Sequence, residues 1–453
     1  MKTTIFSCTH CGAQYPAWQG RCTECQAWGT IHEEAKSEGA PSKKQQLAAA
    51  GSVVSLDSIR GNDRPYRPTG IEEFDRVLSG GLVAGSLTLL GGNPGVGKST
   101  LVLQVAAKVA LTGEVLYISG EESKEQLKLR YDRLGLKAPN LQVLTETDVD
   151  TIVSVIEKRA PVLAVVDSVQ TVTVTTAEGE AGGVTQIKAS TVRLLECAKT
   201  SGTAVILVGH VTKEGFVAGP KMLEHLVDTV LYLEGDDTQA FRLLRTAKHR
   251  FGVTDEVGVF SMTDRGLETV TNPSELFLLE NRSVEAGTAM TAVLEGTRPF
   301  VVEVQALVSP TALGFPRRLA SGFDRGRLEL LIAVLTKRTG LKLATQDVHV
   351  NLVGGLTVKE PAIDLAVCMA VASGLLDRPL DSKLICIGEV GLGGEVRPVA
   401  RIEQRLSEAA KLGFQTAYVA HAPEKKQKKA MSVLSVVPVR TVAETLAALF
   451  PKK

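Results

Sequence analysis

The chain has 453 residues, too many for one hydrophobic core, so two to four domains are expected. Hydrophobic residues make up 44% and charged residues 22%, an ordinary globular composition that excludes a disordered or fibrous chain. Lys plus Arg is 51 and Asp plus Glu is 50, so global charge cannot drive nucleic-acid binding, and only local patches can.

The opening MKTTIFSCTH lacks the apolar core of a signal peptide. No run of about 18 uncharged apolar residues occurs either. A cytoplasmic protein that spans no membrane is therefore expected. Four of the seven cysteines cluster near the start, which suits a reducing compartment with one metal site. They are Cys8, Cys11, Cys22 and Cys25, in the pattern Cys-x2-Cys, ten residues, Cys-x2-Cys. Each close pair turns tightly enough for two thiolates to share an ion, and four sulfurs make a closed tetrahedral zinc site. Two disulfides or a redox pair are the alternatives. His10 lies inside the first knuckle and is taken as a bystander. Residues 1–31 thus read as a zinc finger that folds on its metal, and the polar stretch 32–50 as a linker.

From residue 51 the pattern changes. SLTLLGGNPGVGKSTLVLQVAAKVA is an apolar strand, a glycine loop and a helix. The loop fits G-x-x-x-x-G-K-[ST], and Gly92, Asn93, Pro94, Gly95, Val96, Gly97, Lys98, Ser99 and Thr100 are expected to hold the phosphates of ATP. Lys98 should reach the β- and γ-phosphates, and Ser99 should hold Mg²⁺. Further apolar, β-branched strands follow in βα rhythm: EVLYIS, VLAVVDS, TAVILVGH and TVLYLEG. Asp167 ends the second, placed to hold the Mg²⁺ through water. Glu121 follows the first, where a carboxylate can activate a water; Glu121 and Glu122 could instead cap the helix starting near Ser123. His210 ends the third, as a γ-phosphate sensor or a structural histidine. In RTAKHRFG, residues 245–252, an extended strand end would put Lys248 and Arg250 on one face and His249 and Phe251 on the other. No acidic partner for Lys248 and Arg250 stands close in sequence; a surface salt bridge is one reading, and the resemblance to RecA-like rings given next implies the other, contact with a neighbouring subunit's nucleotide.

Residues 51–270 resemble the RecA-like ATPase core: VVDSVQTVTVTTAEGEAGGVTQ is similar to its Walker B strand and first DNA-facing loop, and VTKEGFVAGPKMLEH stands at the second. The zinc knuckle, GGNPGVGKST and KHRFG together resemble the bacterial RadA (Sms) family, whose signature is Lys-Asn-Arg-Phe-Gly; here His249 replaces the Asn. Residues 271–453 resemble the proteolytic domain of the Lon protease through GGLTVKEPAIDLAVCMAVAS and GEVGLGGEVRPVARIEQRLSEA. The Lon serine falls on Ala362 and its lysine on Glu403, so no proteolysis is expected.

These resemblances imply an α/β protein: a zinc knuckle, a RecA-like P-loop ATPase core with a mostly parallel sheet, and an α+β Lon protease-like domain. They imply a DNA-dependent ATPase, a hexameric ring that binds single-stranded and branched DNA, works with the RecA filament and drives branch migration. Loops 177–185 and 212–222 should face a channel, with Lys213 and Lys221 on phosphates and Phe216 stacking on bases. Lys425, Lys426, Lys428 and Lys429 could touch phosphates or form a solvated face. A KaiC-like regulatory ATPase, sharing TGIEEFDRVLSGGL, and a Lon-like peptidase are the rival readings.

Overall fold

The computed structural model describes residues 5–9, 13–15, 17–34, 55, 66–209, 220–235, 241–270, 274, 285–312, 314–353, 357–421 and 434–451. His10, Cys11, His210, Lys213, Phe216 and the four lysines at 425–429 lie outside these residues, as does the side chain of Lys221. The chain forms two compact units. One comprises residues 1–233, 246–254 and 264–266, and the other residues 234–245, 255–263 and 267–453. No helix among the described residues is long and apolar enough to cross a membrane.

The first unit opens with a three-stranded antiparallel ribbon of β1 (Ile5–Cys8), β2 (Gln14–Tyr15) and β3 (Ile31–Glu34), in the order β2-β1-β3. A short hairpin of β4 (Tyr66–Arg67) and β5 (Leu82–Val83) encloses α1 (Glu72–Val77). The core sheet then follows. β6 (Leu87–Gly92) leads into α2 (Lys98–Val109), β7 (Val115–Ser119) into α3 (Lys124–Arg133), and β8 (Leu141–Thr145) into α4 (Val149–Arg159). β9 (Leu163–Asp167), α5 (Val184–Ser201), β10 (Ala204–Val208), α6 (Pro220–Leu223) and β11 (Thr229–Glu234) complete it. The strands run parallel in the order β11-β6-β10-β9-β7-β8. β6, β7, β9 and β10 are buried along their whole length, as continuous Val, Ile and Leu runs require when helices cover both faces. The chain then continues as β12 (Phe241–His249).

In the second unit, β15 (Thr288–Glu295), β16 (Arg298–Pro310), β17 (Arg318–Ser321) and β18 (Gln346–Leu352) form one sheet, after β13 (Val257–Thr263) and β14 (Gly266–Thr269). Helix α7 (Arg325–Val334) lies between β17 and β18 in the chain. α8 (Asp364–Leu376) is apolar all round, and its residues 364–373 are all buried. β19 (Leu384–Ile387), β22 (Thr416–Ala420) and β23 (Ser435–Val439) form a parallel sheet, and β20 (Glu389–Val390) pairs with β21 (Val396–Arg397). The expected α/β class, with a mostly parallel core sheet and an α+β C-terminal part, is present.

Candidate nucleotide site and metal centre

The loop 92–97 joins a fully buried strand to a helix. Gly92 has φ +153°, and a Cβ there would lie 2.5 Å from Leu233 O. Gly97 has φ +109° and precedes α2 with no side-chain cap, so the helix N-terminus is left to an anion. Lys98 is 3% exposed and folds back over the loop, its Nζ donating to Gly92 O at 2.8 Å and Asn93 O at 2.9 Å. Burial pulls its pKa down to about 8, against the opposing pull of the Asp167 and Glu121 carboxylates. Ser99 and Thr100, both half-buried, follow in the first turn of α2.

Asp167 closes β9, and Tyr117 on the adjacent β7 donates its hydroxyl to Asp167 Oδ2 at 2.7 Å. The other oxygen, Oδ1, is buried without a hydrogen-bond partner among the described residues. A buried carboxylate oxygen with no donor is costly unless a cation or its water meets it, so the residues present fit a divalent ion. Glu121 is exposed and accepts from Ser168 Oγ, whereas Glu122 is tied to Arg130. Neither acid caps α3: Ser123 and Gln126 form its capping box. Sequence reading passed over Tyr117 and Ser168. A hydroxyl inside the apolar run VLYI was the available signal for Tyr117.

Lys248 and His249 end β12, and Arg250 follows it. Lys248 Nζ donates to Glu224 O at 2.6 Å and Val227 O at 2.9 Å. Arg250 Nη1 pairs with Asp228 Oδ1 at 3.0 Å. The acidic partner absent from nearby sequence thus comes from 22 residues upstream. His249 is buried between Thr229 Oγ1, 2.9 Å from its Nδ1, and Leu78 O, 3.3 Å from its Nε2. Burial lowers its pKa, favouring the neutral ring, which accepts from the threonine and donates to the carbonyl. Gln186 on α5 bonds Val174 N at 2.8 Å and Ala177 O at 2.6 Å, anchoring the root of loop 177–185.

In the ribbon, Cys8 N donates to Ala13 O and Cys22 N to Ala27 O, both at 2.9 Å, so the two knuckles repeat one turn. The Sγ atoms of Cys8, Cys22 and Cys25 lie within 4.8 Å of one another. Cys8 and Cys25 sulfurs are 3.7 Å apart, too far for a disulfide. That spacing matches the roughly 3.8 Å edge of a tetrahedron with Zn–S bonds of about 2.3 Å. The residues therefore fit zinc. Wild-type protein should carry about one zinc per chain by elemental analysis, and Cys22→Ser with Cys25→Ser about none; equal zinc content in both would refute the site.

In the second unit, Ala362 is buried and Glu403 exposed. Two residues on, Arg405 is fully buried and bonds Glu360, Ala292 O and Ala400 O.

Three family models match the chain: the rubredoxin metal binding domain at residues 6–33, the AAA domain at 67–215 and subunit ChlI of Mg-chelatase at 327–423. Among curated proteins, it is 48% identical over 446 residues to the DNA repair protein RadA of Bacillus subtilis, covering 97% of each chain. It is 46% identical over 451 residues to that of Pseudomonas aeruginosa, covering 98% of each. To that of Escherichia coli it is 45% identical over 452 residues, covering 98% of this chain and 97% of the other. With that identity sustained over nearly the full length of both partners, the chain belongs to the DNA repair protein RadA family.

Proposed function

We propose that the chain is a cytoplasmic, DNA-dependent ATPase of recombinational repair that drives branch migration and assembles as a hexameric ring. The observation that carries this reading is the convergence of Lys98, Asp167 and Glu121 at the glycine loop of a chain whose relatives are named DNA repair proteins. Gly92 to Thr100 cradle the phosphates, and ATP exchanges the Lys98 contacts with Gly92 O and Asn93 O for contacts with phosphate oxygens. Ser99 and Asp167 would hold Mg²⁺, which would neutralise charge developing on the phosphates. Glu121, oriented by Ser168, positions the attacking water.

Lys248 and Arg250 act on the neighbouring copy's nucleotide. Asp228, which holds Arg250, also accepts from Leu87 N at the start of β6, while the glycine loop leaves its end. Five strand steps, about 17 Å, separate the two ends, so Arg250 is out of reach of its own phosphates. Single-stranded and branched DNA, within or beside a RecA filament, passes loops 177–185 and 212–222, where Lys213, Lys221 and Phe216 make the contacts. The Lon-like part is not a protease, because Ala362 offers no nucleophile and Glu403 no cation.

The test is ATP hydrolysis with and without single-stranded DNA. Turnover should rise severalfold or more with DNA. Equal rates over a full titration, at a salt concentration where binding is demonstrated, would refute DNA dependence.

A further inference from the structure

Both cations of the proposed finger are held by one short stretch, residues 224–228. Lys248 binds two of its carbonyls, and Arg250 binds Asp228 twice: its N–H donates to Asp228 O at 3.1 Å and its guanidinium pairs with the carboxylate. Asp228 is itself fixed to the core. Its N–H donates to Leu87 O at 3.1 Å, and its Oδ2 accepts from Leu87 N at 3.1 Å. The carboxylate therefore cannot follow a moving guanidinium; the guanidinium is fixed by it.

The burial of the pair is unequal. The Asp228 side chain is 5% exposed and that of Arg250 48% exposed. An exposed ion pair contributes little to stability, whereas a buried charge must keep its partner. A buried anion gripping one edge of a half-exposed guanidinium presents the remainder outward in a set direction. We propose that Asp228 is the positioning residue of the Arg250 finger, fixing the guanidinium in the pose that meets the phosphates of a neighbouring copy. This rests on the reading of Arg250 as acting between copies. Burial first, and then repulsion from Arg250, lowers the Lys248 pKa, and the Asp228 charge offsets part of that repulsion.

Asp228→Asn separates positioning from folding. The amide oxygen can still accept from Leu87 N–H, but the amide nitrogen faces Arg250 donor to donor. The kcat for ATP should fall about 10²-fold, the scale of a displacement of about 1 Å in a catalytic group, with KM within about threefold. Mixed assemblies supply a readout that a folding defect would not move. Lys98→Ala subunits carry an intact finger, so mixing them with Asp228→Asn should restore activity. Mixing Asp228→Asn with Arg250→Ala should not, because both lack a working finger.

Wild-type kcat in Asp228→Asn would overturn the proposal, as would recovery with Arg250→Ala. No recovery with Lys98→Ala, under conditions where Arg250→Ala with Lys98→Ala recovers, overturns it while leaving the finger reading intact. If that reference mixture also fails in rings shown to have exchanged subunits, the finger reading and this proposal fall together. Should Asp228→Asn not fold, Asp228→Glu keeps the charge and displaces it by one methylene. The same loss and the same pattern of recovery are expected, and wild-type turnover would again overturn the proposal.

Discussion

Lys98→Ala should abolish ATP turnover, by at least about 10²-fold, while the protein stays folded. The side chain is buried, yet among the described residues its ammonium bonds backbone carbonyls of the glycine loop, and Asp167 and Glu121 supply the opposing charges. Burial pulls its pKa down to about 8 against the pull of Asp167 and Glu121, so the amine adds little net stability to the fold. What remains is the loss of the buried aliphatic stem. The melting temperature should therefore stay within about 5 °C of wild type. Hydrolysis kinetics and a thermal melt on the same preparation check both halves. Wild-type turnover would refute the phosphate-loop assignment, and an unfolded variant would show that Lys98 is a structural residue instead.

Arg250→Ala should lower kcat by about 10³-fold or more, the effect of losing a finger on the γ-phosphate. Nucleotide affinity should survive within about threefold, because the glycine loop belongs to the other wall of the site. This substitution also strands Asp228, a buried carboxylate that keeps only the Leu87 N–H, so the melting temperature should fall by several degrees. The two losses are separable. Arg250→Lys keeps a cation for Asp228 and should recover most of the stability. It should not recover most of the rate, since an ammonium lacks the planar fork of the guanidinium. A rate loss that tracked stability across both variants would make Arg250 a structural ion pair and nothing more.

How legible these features were in sequence depended on chain distance. The glycine loop is nine consecutive residues between a strand and a helix, a pattern read from local sequence, and its three positive-φ glycines, Gly92, Gly95 and Gly97, stand where the backbone turns. The zinc ribbon was readable for the same reason, each knuckle being one tight turn. The contacts that set side-chain geometry span long loops. Tyr117 and Asp167 are 50 residues apart, Glu121 and Ser168 are 47 apart, and Asp228 and Arg250 are 22 apart. Tyr117 with Asp167 and Glu121 with Ser168 meet because β7 and β9 are parallel neighbours, and Asp228 meets Arg250 where the start of β11 adjoins the end of β12; strand order is not written in the local pattern. Asp228 carried one overlooked signal, an acid directly before the apolar run TVLYLEG. A carboxylate there must be paired if the strand is central. Arg405 in the second unit is a similar case. It is a long cation between Gln404 and Leu406, and nothing local announces that it pairs with Glu360, 45 residues away.

The central claim is that each ATP is hydrolysed between two copies, one supplying Lys98 and the other Arg250. The most direct measurement mixes Lys98→Ala with Arg250→Ala, each inactive alone, and follows phosphate release after subunit exchange has been verified. Boundaries that join an intact phosphate loop to an intact finger should restore up to about a quarter of wild-type activity, the share expected from random mixing if each boundary works independently. Activity that stays at the level of the separate variants, in rings shown to contain both, would contradict the account.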